Sequence, residues 1–156
     1  MKSTVMALAT TATALTPLAA EARQVTFTTQ LNVYGGKGAY LAFYVTDAQG
    51  KYVGSLWMAG PHAKYYRHLP GWMRATGGNP GEVAGITGAS VGPGRTLKIN
   101  LNLNDALFDK GYKLHIDAAA ENFPEIPNDV VVNLTSAGKG KPVAGRGYVK
   151  SFTYSY

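Results

Sequence analysis

The tract Gly85-Ile86-Thr87-Gly88-Ala89-Ser90, continuing Val91-Gly92-Pro93-Gly94, sets two hydroxyls on a backbone of small residues. No acid or base sits beside them, so the tract does not read as a self-activated nucleophile. A second segment, Gly60–Ala75 (GPHAKYYRHLPGWMRA), gathers two Tyr, two His, one Trp and three basic residues. Trp57, Tyr65, Tyr66, Arg67, His68, Trp72 and Arg74 could offer faces on which a planar anion stacks. Lys64, Arg67 or Arg74 would then meet its charge. The same residues have a packing role open to them, with Trp57, Tyr66, Leu69 and Trp72 closing one end of a core; both roles can hold at once. Of the three histidines, His115 lies between Leu114 and Ile116 and faces opposite to them. His62 and His68 have no carboxylate cluster near them in sequence, so no metal centre is expected. Asp105 and Asp109 bracket Ala106-Leu107-Phe108 and read as capping residues. There is no serine elbow, Walker loop or dinucleotide fingerprint, and Gly35-Gly36-Lys37-Gly38 lacks phosphate-loop spacing. A stand-alone hydrolase has nothing to work with here.

The elements that must carry these segments are strands. Gln24–Leu31, Ala39–Thr46, Tyr52–Met58, Thr96–Leu103, Tyr112–Ala118, Val130–Leu134 and Tyr148–Tyr154 are short runs rich in β-branched and aromatic residues. Gly, Pro, Asn and Asp clusters separate them, and Asp47-Ala48-Gln49-Gly50 reads as a turn. No long stretch has a helical period. Seven such strands predict an all-β, antiparallel β-sandwich of immunoglobulin-like type, with a small barrel as the alternative. The spacing breaks once, at Gly60–Gly94, a long aromatic and Gly-rich insertion. A loop of that length in a compact domain is usually functional or disordered. It is expected to project from one end of the sandwich, with Trp57 and Trp72 buried and its glycine-rich half exposed and mobile.

The ends and the composition narrow the setting. Lys2, the weakly apolar Val5–Leu18 and Ala20-Glu21-Ala22 form a secretory leader with an A-x-A cleavage pattern. Residues 1–22 are therefore expected to be removed, leaving 23–156 as one domain. There is no cysteine in the sequence, which excludes disulfides and thiolate metal sites and, for an exported chain, points to a periplasm. The formal net charge is +6, from cations scattered singly rather than in a stripe. Nucleic acid is not an expected partner; an anionic ligand or an acidic protein is compatible.

Thr87-Gly88-Ala89-Ser90 resembles the [S/T]-G-A-[T/S] signature of proteins that carry covalent FMN, such as the FMN-binding subunits of Rnf and sodium-pumping quinone reductase complexes. In that family a flavin transferase moves FMN from FAD onto the last hydroxyl as a phosphoester. The resemblance thus implies FMN on Ser90, with Thr87, Gly88 and Ala89 as its signature neighbours. The signature usually has an acidic residue shortly before the Ile; this chain has Ala84 there and Glu82 two residues earlier.

Nearly the whole chain after the leader is also similar to a predicted-periplasmic family. The residues that carry this likeness are Leu56-Trp57-Met58, Lys64-Tyr65-Tyr66-Arg67-His68-Leu69-Pro70-Gly71-Trp72, the T-G-A-S tract and Tyr112–Asn122. Members of that family accompany PepSY-type membrane proteins, flavin transferases and TonB-dependent receptors. Together the resemblances imply a periplasmic flavoprotein with FMN tethered at Ser90 and its ring against Tyr65, Tyr66, Arg67, His68 and Trp72. It would pass electrons from a PepSY-type membrane reductase to ferric iron or a ferric chelate during iron uptake, as a redox carrier rather than a stand-alone enzyme. The rival readings are a non-redox module binding a ferric chelate, haem or protein on the same aromatic segment, and a structural accessory subunit.

Overall fold

Alternation becomes layering. The computed structural model describes Lys2–Thr4 and Glu21–Tyr156. Most of the leader expected at residues 1–22 therefore lies outside the described residues. Its Lys2–Thr4 is a short strand, β1. The chain continues through β2 (Ala22–Leu31), β3 (Tyr40–Thr46), β4 (Tyr52–Ala59), helix α1 (Pro70–Thr76) and β5 (Thr87–Gly88). It ends with β6 (Thr96–Asn104), β7 (Lys113–Ala119), β8 (Ile126–Asn133) and β9 (Val149–Ser155). The sheets run β1-β6-β2-β9 and β5-β4-β3-β7-β8. All pairings are antiparallel except β1 with β6 and β4 with β5.

The fold is an all-β sandwich, as its strand pattern indicates. In β2, Val25, Phe27, Thr29 and Leu31 are buried while the residues between them are partly open. Phe27 packs edge-on to Phe152 at 5.3 Å and stacks with Phe43 at 6.1 Å, joining the two sheets through one apolar core. The immunoglobulin strand order does not hold. There the second strand pairs with the first and fifth; here β3 pairs with β4 and β7. The cause is local. Asp47 Oδ1 accepts from the backbone N–H of Gln49 and of Lys51, each at 2.9 Å, and Gly50 takes φ 82°. So tight a turn joins only adjacent antiparallel strands of one sheet.

The insertion does not project; it lies flat. Within it are 3₁₀ turns Ala63–His68 and Pro80–Val83, helix α1 and strand β5. They cover the outer face of β3, β4 and β7, where Tyr66, Leu69, Trp72 and Val83 bury against Ala42, Tyr44, Met58 and Ala119. As a result β3 is buried on both faces. The glycine-rich half is anchored too, by buried Val83 and Val91. Trp72 is buried as expected, whereas Trp57 is only half-buried.

A helix of seven residues has no stability of its own, so α1 must be held from below. Asp117, buried in β7, accepts the backbone N–H of Trp72 at 2.7 Å and the Tyr44 hydroxyl at 3.2 Å. Gly71 makes that approach possible. A Cβ there would lie 2.6–2.8 Å from the Tyr44 hydroxyl and both Asp117 carboxylate oxygens. At the other end Gly77, at φ 71°, closes the helix by donating to the Met73 carbonyl at 2.9 Å.

Candidate functional site

The Thr-Gly-Ala-Ser tract leaves the insertion as a strap pinned at two points. Before it, the Thr87 hydroxyl donates to the Val83 carbonyl at 2.8 Å. Thr87 and Gly88 then run alongside Met58 and Ala59: Met58 N–H donates to the Ile86 carbonyl at 2.9 Å, and Gly60 N–H to the Gly88 carbonyl at 2.8 Å. After it, Val91 and Ala39 exchange two backbone hydrogen bonds at 2.9 and 2.7 Å. Ala89 and Ser90 lie between these pins, and both are exposed. The strap is thus exposed, as expected, and hydrogen-bonded to the sheet on both sides of Ala89 and Ser90.

Glycine fits the strap for steric reasons. A Cβ on Gly88 would lie 2.6 Å from Cζ2 of Trp57, so the backbone rests directly on the indole. A Cβ on Gly38 would lie 2.7 Å from Ser90 Oγ. Gly38 therefore marks where the Ser90 hydroxyl sits.

Ser90 opens onto a cavity of about 640 Å³ that also takes in Tyr40, Tyr65, His68 and Phe123. Tyr65 and Tyr40 meet edge to face at 5.7 Å, and both Tyr65 and Phe123 are exposed. Two contacts to carboxylates cross the walls. His68 Nδ1 lies 2.6 Å from Glu125 Oε2, and Lys37 Nζ lies 3.3 Å from Glu121 Oε1. The lysine and the imidazole of the wall thus each already face a carboxylate.

Of the residues expected from sequence, the structure gathers Ser90, Tyr65 and His68 around this one cavity. Thr87, Gly88 and Ala89 belong to the strap. Arg67 is exposed, its Nε 3.4 Å from His68 Nε2, and Lys64 stands 5.1 Å over the Tyr65 ring. Arg74 lies on α1 and is exposed. Tyr66 and Trp72 are elsewhere, buried under the insertion with their rings 5.5 Å apart. The Tyr66 hydroxyl donates to the Gly60 carbonyl at 2.8 Å, burial raises its pKa, and Trp72 Nε1 donates to Ser55 Oγ at 3.0 Å. Tyr40, Phe123, Glu121 and Glu125 were not anticipated. They come from the end of β3 and from the loop after β7, and only tertiary folding brings them to Ser90.

A cavity of this size falls in the range that holds drug-sized planar ligands. A planar cofactor lying here would meet the exposed Tyr65 and Phe123 and the Ser90 hydroxyl. Among the described residues no three His, Asp or Glu side chains converge as a metal site would need. Among the described residues, no helix is long and apolar enough to cross a membrane. A family model described as "Predicted periplasmic protein (DUF2271)" matches residues 22–151. Among curated proteins, and among solved structures, nothing matches.

Proposed function

Because the chain belongs to that family of predicted periplasmic proteins, we propose that it is a periplasmic electron carrier with FMN held as a phosphoester on Ser90. One observation carries the reading: the exposed Ser90 hydroxyl opens onto an aromatic cavity of sufficient size. In the transfer that loads it, the Ser90 Oγ–P bond forms, the P–O–P bond of FAD breaks, AMP leaves and the hydroxyl proton is lost. A flavin transferase supplies that reaction. FMN, when bound, supplies reversible uptake of two electrons from a donor, here a PepSY-type membrane reductase, and their release to an acceptor such as a ferric chelate.

The chain's own residues bind and orient. Tyr65 and Phe123 present the faces against which a flat ring packs, and Tyr40 holds Tyr65 edge-on. Glu125 accepts from or pairs with His68 and so fixes that imidazole at the wall. The strap's two pins hold Ser90 at the cavity rim. A tether suits an exported carrier, since an unattached flavin would diffuse away.

The paired charges of the walls favour a second reading, a non-redox module whose cavity takes a planar ligand of mixed charge. Intact mass after denaturation separates the two. Co-expression with a flavin transferase is expected to add the mass of one FMN less one water. Ser90→Ala should abolish the increment and Ser90→Thr retain it, while Tyr65→Ala should keep it and raise flavin fluorescence. An unmodified wild type in the presence of an active transferase would put the binding module first.

A further inference from the structure

Ser90 and Gly38 also border a second hollow, of about 430 Å³, bounded by Trp57, Arg95 and Thr96. Its chemistry differs from that of the aromatic cavity. The hollow has a guanidinium and hydroxyls among its lining residues, and no carboxylate. Arg95 joins no ion pair among the described residues. Its stem lies along Gly92, where a Cβ would be 3.2 Å from Cγ, which brings the guanidinium stem alongside the Ser90 strap. The Trp57 ring forms one wall of the hollow, with its Nε1 buried behind that wall. Donors gathered without a competing acid are what a phosphoryl group needs.

We propose that the hollow between Trp57 and Arg95 is a phosphoryl seat, taking the phosphate of a phosphomonoester such as FMN. The identity of that ligand rests on the Ser90 reading; the seat itself does not. The two hollows then divide one molecule between them. The phosphate lies with Arg95, Trp57 and Thr96, and the ring lies with Tyr65, Tyr40 and Phe123. Ser90 stands where the two meet, so its hydroxyl is next to the phosphorus it would be joined to. The same donors would hold free inorganic phosphate.

The test uses unmodified protein without its leader, labelled with ¹⁵N, at constant ionic strength. The chain has two tryptophans, and Trp57→Phe identifies the Trp57 indole N–H signal. Inorganic phosphate and FMN should each shift that signal, riboflavin should not, and Arg95→Gln should weaken both responses by about tenfold. Because the protein is unmodified, the phosphate response is read apart from the tether. The seat is overturned if neither phosphate nor FMN moves the Trp57 signal, if riboflavin moves it as FMN does, or if Arg95→Gln binds as wild type. A protein that passes this test yet never takes up covalent FMN would retain the seat and lose the carrier reading.

Discussion

The two faces of the five-stranded sheet are buried by different means. On the inner face Leu41, Phe43 and Val45 meet Val25, Phe27 and Phe152, and the contact is apolar. On the outer face Ser55 and Asp117 meet the insertion through directed hydrogen bonds, and Tyr44 braces Asp117. Asp117 accepts from Tyr44, from Trp72 N–H and, at 2.9 Å, from Asn128 N–H. Ser55 Oγ accepts from Trp72 Nε1 and pairs with the Tyr52 hydroxyl at 2.8 Å. Tyr52 in turn donates to Glu82 at 3.0 Å. Apolar burial is non-directional and requires only that the sheets meet. Hydrogen bonds have angles and lengths, so the outer layer fixes where the insertion lies. Since the strap leaves that insertion, the polar layer sets the position of Ser90.

The largest effect should come from the inner face. Phe27→Ala removes a ring shared by both sheets and is expected to cost about 4 kcal/mol. Urea unfolding should show sheet and insertion lost in a single transition. Asp117→Asn tests the outer face: an amide brings donors toward three donors and should cost roughly 2–3 kcal/mol. Its signature is faster amide exchange in residues 60–94 while β2 and β6 keep their relative protection. Equal loss across both sheets would end the distinction between the layers. Gly88→Ala drives a methyl into Trp57 and should cost about 1 kcal/mol. The Trp57 near-ultraviolet signal should change while that of Trp72 stays.

The smallest effect is alkaline. Burial and the hydrogen bond to Glu82 push the Tyr52 hydroxyl up from its ordinary 10.0 to about 12, and burial with the Asp117 charge pushes Tyr44 up as well. Each is thus held neutral in the folded state beyond its unfolded range. Both contributions are fully present below pH 10, and that of Tyr52 is lost as pH rises from there through about 12. Exchange in the insertion should quicken over that window before β2 does. Uniform quickening would argue against a separate outer layer.

Seven strands could be read from sequence because alternation and turn chemistry are local. β8 is the one whose start shifted furthest, from Val130 to Ile126, since Pro127 and the positive φ of Asn128 disguise its beginning. Strand order was not legible, because pairing joins residues far apart in the chain. The insertion's placement had left a trace: Ala39–Val45 is apolar throughout, which a strand covered on one face would not require. Its partner signal, a carboxylate in β7 accepting from the first turn of a helix that opens Pro70-Gly71, is visible only when the two are brought together. The candidate site divides in the same way. Thr87–Ser90 stood out as a contiguous motif, whereas Tyr40, Glu121, Phe123 and Glu125 reach Ser90 from separate segments.

The first strand after the expected leader sits in the middle of its sheet, between β6 and β9. Thr26 faces Ser155 across the ladder, and Arg23 lies against Asp105, Phe108 and Tyr156. A chain emerging amino end first cannot pair β2 on one edge until β6 has followed, or on both edges until β9, nearly its last residues, has. Both closures are long, and closure that long delays assembly. The first sheet is therefore completed only when nearly the whole domain has emerged, which keeps the polypeptide threadable through a narrow membrane channel for most of its passage.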